Sequence, residues 1–287
     1  MRTLATLSST KLVAPVTAYE LQEYLLTKPQ VEAPVIHSFG PGIYIREVTL
    51  KAGTVAVGHH QNFEHQNIVL NGHVRMLRDD GTTLDVVGPT MFVGKPGKKA
   101  GYVIKDTVWL NIYSTEERDI EKLEAHFLTK DPTWIDSQAR KRAADSFIHN
   151  ADREDYETLL IEFNISKEQA RREAEYEMDQ IPFPMGSYCV KLGDSPIEGK
   201  GLFATANFQV GGYICPGRLD WKRTPAGRFT NHSKSPNAEP VLEENGDIHF
   251  VAIKPIAGCR GGSDGEEITI DYRKALILNN RKPLCLV

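Results

Sequence analysis

Arg228–Asn237 reads RFTNHSKSPN. It crowds Thr230, Asn231, His232, Ser233, Ser235 and Asn237 into one short stretch, and such side chains hydrogen-bond to nearby backbone and favour caps and tight loops. Taken alone, Asn231-His232 is a capped loop. Downstream, Gly265–Tyr272 reads GEEITIDY, a turn entering an alternating strand. Upstream, Gly199–Ala204 reads GKGLFA, where two glycines supply permissive dihedrals at a turn. None of the three is specific by itself.

In this order the three segments resemble the SET-domain family, protein-lysine methyltransferases that use S-adenosylmethionine. Members of that family show a GxG-Leu/Val-Phe-Ala turn, an RFxNHSxxPN segment and GEExTxDY. Ala252–Ile256 (AIKPI) also matches the strand and turn before the last motif, so the resemblance spans residues 186–273. It implies a compact SET-like β-domain with a cofactor pocket built from residues 199–203 and 228–232. Gly199, Lys200 and Gly201 would let the backbone approach the methionine part, with Phe203 beside them. Arg228, Asn231 and His232 would line the pocket, and Tyr272 would be the catalytic tyrosine. Methyl transfer is an in-line displacement that depends chiefly on alignment. The acceptor lysine must be neutral although its free pKa is about 10.4, and an apolar, aromatic-walled channel beside a cationic sulfonium lowers it.

The departures from the family pattern define a rival. Only 30 positions separate Gly201 from Asn231, so most of the insert that forms a wall of the substrate channel is missing. Lys234 stands where many members carry Cys, and no Cys-rich tail follows for a zinc-bound lid. Residues 273–287 are the one candidate lid, and the 257–264 loop is longer than a tight turn. Two readings stay open: a minimal methyltransferase, and a virion structural or assembly protein with a non-catalytic SET-like domain.

From His37 to Ser114 the texture is short β-rich runs between turn signals, an antiparallel barrel or jelly roll. Asn71-Gly72 and Asp80-Gly81 predict hairpins. The stretch 58–72, GHHQNFEHQNIVLNG, resembles the first motif of cupins, and Gly88, Pro96-Gly97 and the strand Thr107–Tyr113 match the second half of a cupin barrel. Residues 40–115 look most like small cupin-like proteins common in tailed-phage genomes. His59, His60 and His65 are the candidate metal ligands. On one strand His59, Gln61, Phe63 and His65 would share a face, but Gln61 and Phe63 are poor stand-ins for ligands, and Lys98, Lys99 and Ala100 follow Pro96-Gly97 where another His is expected. No metal is therefore expected. Trp109 and Tyr113 share a face of their strand and either anchor a dimer contact or fill the barrel interior.

Ala18–Leu26 predicts a short helix ended by Pro29 and Pro34. Residues 115–180 read as helix. Ser114 with Glu117 and Ser166 with Gln169 are candidate capping boxes, the second opening a helix that ends near Gln180. Ser137–His149 and Asp155–Phe163 are two further helical stretches whose charge reads as solvated surface.

The 287 residues are 40% hydrophobic and 25% charged, enough to bury a sizeable core. Lys+Arg 34 against Asp+Glu 38 gives a net charge of −4, which speaks against a general grip on nucleic acid. No apolar run approaches the ~18 residues that span a bilayer. Cys189, Cys215, Cys259 and Cys285 form no CxxC and fit a reducing compartment. The opening MRTLATLSSTKLVAPVT has no apolar core and reads as a polar arm, a transit peptide remaining open. The expected plan is α+β: an arm (1–35), a cupin-like barrel (36–115), a helical connector (116–180) and a SET-like domain (181–287). The leading function is S-adenosylmethionine-dependent methylation of a protein lysine, with the barrel docking or dimerising. The expected setting is cytoplasmic, or host cytoplasm or virion if phage-encoded. The expected partners are a lysine-bearing protein substrate or virion proteins and further copies of the chain, with no nucleic acid or membrane.

Overall fold

The computed structural model describes residues 17–284 apart from Asp79 and Phe147. The expected polar arm before Thr17, and Cys285, lie outside the described residues. The fold is mixed α+β, a curled antiparallel sheet followed by helices and a compact β-rich C-terminal part.

Helix α1 (Ala18–Leu26) opens with a reciprocal capping box between Thr17 and Glu20. Eight strands follow: β1 (Val35–Gly40), β2 (Ile43–Leu50), β3 (Val55–Val57), β4 (His60–Gln61), β5 (His65–Leu77), β6 (Thr83–Val87), β7 (Thr90–Gly94) and β8 (Ala100–Ser114). The main ladder runs β1-β2-β8-β5-β6, with β3 branching from β8 and β7 from β5. The sheet curls, because side chains of β1, β2, β3, β5 and β8 line one cavity. Asp80-Gly81 sits in the β5–β6 hairpin as expected. Asn71-Gly72 makes no hairpin. It lies inside β5, where the register against β8 shifts on both sides of it. Gly72 has φ +99°, and a Cβ there would stand 2.2 Å from Thr107 Oγ1. The residue signals positive φ correctly, but the chain spends it on a bulge that lets β5 bend. Trp109 and Tyr113 are both buried within the chain, so neither is free to anchor a dimer contact.

The connector holds α2 (Ile120–Phe127), β9 (Leu128–Thr129) paired with β4, α3 (Pro132–Asp145), α4 (Asn150–Glu162) and α5 (Lys167–Glu175). Ser114 caps nothing: it ends β8, and Asp119 caps α2 by accepting from the Glu121 and Lys122 amides. Ser166 does cap α5, accepting from Gln169 N, but the helix stops at Glu175. Asp131 and Pro132 start α3 earlier than the expected Ser137.

The C-terminal part comprises β10 (Gly186–Tyr188), β11 (Val190–Asp194), β12 (Lys200–Ala204), β13 (Tyr213–Leu219), β14 (Lys222–Arg223), α6 (Pro225–Phe229), β15 (Asn231–His232), β16 (Ala238–Leu242), β17 (Ile248–Ala252), β18 (Glu267–Ile270) and α7 (Tyr272–Leu278). Two four-stranded sheets result, β11-β12-β18-β15 and β14-β13-β17-β16. Strand β10 leaves this part and pairs with β1, and one core runs through both halves, joining Tyr44 and Tyr113 to Leu123, Phe183, Leu202 and Ile268. No helix among the described residues is long and apolar enough to cross a membrane.

Candidate functional site

Strand β18 brings the three motifs together. It pairs antiparallel with β12, Phe203 facing Glu267, and parallel with β15, Asn231 facing Thr269 and His232 facing Ile270. Glu267 is the hub. Its carboxylate accepts from Ser195 Oγ at 2.8 Å and from Asn231 Nδ2 at 2.8 Å. Burial pushes this carboxyl up, and the Asn231 and Ser195 donors pull the other way. The same Asn231 amide also reaches the Glu198 and Lys200 carbonyls, so it closes the glycine turn onto the strand. Gly201 must be glycine here, because a Cβ would lie 2.3 Å from Glu267 Oε1. Gly199, at φ +52°, has open space where its Cβ would be. Asn237 locks β18 from the other side, donating to Glu267 O and accepting from Thr269 N.

The second half of the site is aromatic. Asp271 caps α7, which starts at Tyr272. The Tyr272 hydroxyl donates to Thr230 O at 2.9 Å, and burial pushes its pKa well above the ordinary phenol value, so the hydroxyl keeps its proton. Its ring meets Tyr156 edge-on at 5.9 Å and His232 at 5.3 Å. Tyr272 N donates to His232 Nδ1, so the ring proton sits on Nε2 and is donated to Asp155 Oδ2 at 3.0 Å. Asp155 is held low, first by hydrogen bonds from Arg273 and then by His232.

Of the expected cofactor residues, the structure gathers Gly199, Gly201, Asn231 and His232, with Tyr272 at the end of the same strand. The half-buried Lys200 and Arg228 side chains point elsewhere. Lys200 pairs with Glu121 and Asp194, and Arg228 bonds Gln180 and lies over the Phe229 ring. Phe203 is buried on β12 and borders a cleft of about 420 Å³ that it shares with Ser233, Asn237, Glu267, Thr269 and His149.

The residues missed belong mainly to α4. Asp152 is buried and accepts from Ser233 Oγ at 2.8 Å and Lys234 N at 2.9 Å, Asp155 holds His232, and Glu162 holds Arg273. These carboxylates are not solvated surface as expected: Asp152 and Asp155 face the NHS segment, and Glu162 faces Arg273. Their one signal is spacing, since Asp152, Asp155, Tyr156 and Leu159 recur on a single helical face.

At the expected metal site a turn separates β4 from β5, so the four residues do not share one strand. His59 and His65 line the sheet cavity, while His60 Nδ1 meets the Tyr19 hydroxyl. Among the described residues no three His, Cys, Asp or Glu side chains converge as metal ligands.

The sequence model of the SET domain matches residues 99–273, and the chain belongs to the SET-domain family. The match starts just before β8 and takes in that strand and the helical connector, beyond the 186–273 stretch that carries the motifs. No curated protein matches the sequence. Similar solved structures include ectoine synthase from P. lautus (12% identity, 37% of this chain and 86% of that one, TM-score 0.28). KdgF from Halomonas sp. is similar at 15% identity over 31% of this chain and 87% of that one, TM-score 0.25. A cupin-2 domain containing protein from Shewanella frigidimarina is similar at 13% identity over 33% and 90%, TM-score 0.24.

Proposed function

We propose that the chain is a minimal SET-type protein-lysine methyltransferase using S-adenosylmethionine. The observation that carries this reading is the convergence of the glycine turn, Asn231 and Glu267 on β18, with Tyr272 next in line. The residues present fit the cofactor: Gly199 opens on free space, the Glu267 carboxylate offers negative charge to a cation, and the cleft beside Phe203 has room. Gly199, Gly201, Asn231 and the His232 backbone would hold it, and when bound it would supply an electrophilic methyl group on a cationic sulfur. The chain's own residues do the rest. Thr230 O fixes the Tyr272 hydroxyl, and burial beside Tyr156 and Tyr272 favours the neutral amine of an incoming lysine by desolvation. For the N-terminal sheet we propose docking or self-association, tested by the mass of the whole chain in solution. Its β7 branch leaves Met91 and Val93 largely exposed.

A second reading has its own support. Asn231 Nδ2, both His232 nitrogens and the Tyr272 hydroxyl are all bonded within the chain, as a scaffold kept for assembly, such as a virion part, would also require. Calorimetric titration of the whole chain with S-adenosylmethionine separates the two. The enzyme reading expects binding, weakened by ~1–3 kcal/mol in Asn231→Ala because buried partners lose their donor. Absence of heat at about 1 mM cofactor would leave the scaffold.

A further inference from the structure

We propose that the cavity enclosed by the curled sheet, α2 and the 257–264 loop binds a small organic monocarboxylate with an apolar body. This site is separate from the β18 cluster and does not depend on methyl transfer. It measures about 260 Å³ and draws its lining from both halves of the chain.

Part of the cavity lining is polar and incompletely satisfied. His37 Nε2, Arg46 Nε and His59 Nδ1 are buried and have no hydrogen-bond partner. His37 has no exposed surface, and its Nδ1 edge is taken by the Tyr44 hydroxyl at 2.7 Å, which leaves the Nε2 edge for something else. Unpaired buried donors and acceptors are rare in folded proteins, and three around one void mark a place for a ligand.

The charge pattern selects an anion. Of the lining cations, Lys130 pairs with Glu124 at 2.8 Å, Lys191 with Asp264 and Lys51 with Asp106, whereas Arg46, Lys99 and Arg260 have no carboxylate within ion-pair reach among the described residues. The Arg46 guanidinium is the fork that matches a carboxylate. Burial pushes His37 and His59 down to about 3, so both rings are neutral and add no further charge to balance. The lining therefore carries an excess of positive charge, which a carboxylate on Arg46 offsets. Val48, Leu50, Val57, Val74 and Met76 supply an apolar part of the lining, which suits an alkyl or aryl body.

The test is calorimetric titration of the whole chain with hexanoate, with hexanamide as the neutral isostere and inorganic phosphate as an anion without an apolar body. Hexanoate should bind at least about tenfold more tightly than either. Arg46→Gln should abolish that preference and Arg46→Lys should keep part of it, with folding of each variant checked by its thermal transition. If Arg46→Gln does not fold, the comparison of hexanoate with hexanamide on the native chain still decides. Equal affinity for acid and amide, tighter binding of phosphate, or no heat from hexanoate at about 1 mM would each overturn the assignment.

Discussion

His37 and His59 carry the clearest pH signature in the molecule. Each is pushed by burial from an ordinary 6.5 down to about 3, and burial lowers His65 as well. Between those values the unfolded chain binds protons that the folded chain refuses. Stability therefore rises with pH across that window and falls on acidification, by up to about 1.4 kcal/mol per pH unit for each such histidine. Carboxylates held low in the fold, such as Asp152 and Asp155, add their losses only as pH drops through about 4. Glu267, raised by burial, works in the opposite sense and gains as pH falls. Urea unfolding between about pH 7 and pH 5 thus reads the histidines above the range of the carboxylates held low, with Glu267 opposing them. The native chain should lose stability over that range, and His37→Gln should flatten the slope even though it starts from a less stable fold. An unchanged slope would mean that His37 is not buried neutral.

Helix α4 is the element that decides whether the NHS segment is rigid. Asp152 accepts from the Ser233 hydroxyl and the Lys234 amide and meets His149 Nδ1. Asp152→Ala leaves the buried Ser233 hydroxyl without an acceptor and the Lys234 amide without its partner, which should cost ~1–3 kcal/mol, while Asp152→Asn keeps an acceptor oxygen and should cost less. Equal unfolding midpoints for the native chain and the alanine variant would show that α4 is held by Leu159 and Leu160 packing instead. The helix itself was legible from its spacing, but its partner was not, because Ser233 lies 81 positions away and nothing local in an acidic helix names what it faces. Element β5 shows the same limit: Asn71-Gly72 announces positive φ, yet only the approach of Asp106 and Thr107 across the sheet turns it into a bulge. The three site motifs were readable as segments, but their chain order, β12 then β15 then β18, does not give the spatial order, in which the last strand lies between the other two. Glu267 was quoted with them, but its role as hub depends on crowding at Gly201 that spacing does not carry.

At the scale of the molecule, the expected division at residue 180 cuts through a shared structure. Strand β1 sets His37 opposite Tyr188 and Phe39 opposite Gly186, so the C-terminal part supplies an edge strand to the N-terminal sheet. Thr205 accepts from Val35 N at 3.0 Å and returns a hydroxyl bond to Val35 O at 2.6 Å. Phe39 meets Tyr188 at 6.0 Å, and the core continues from Tyr113 and Leu123 to Leu202 and Ile268. Fully burying one such apolar side chain contributes roughly 1.5–3 kcal/mol, while a whole domain retains only about 5–15 kcal/mol. Exposing several at once exceeds what either half can lose. Fragments 1–180 and 181–287, made separately, should therefore lack a cooperative thermal transition, and produced together they should reassemble and regain it. Circular dichroism melting and amide proton dispersion read the outcome. A cooperative melt with a dispersed spectrum from 181–287 alone would show that the SET-like part folds without the sheet, and that the shared core is an interface between two independent domains.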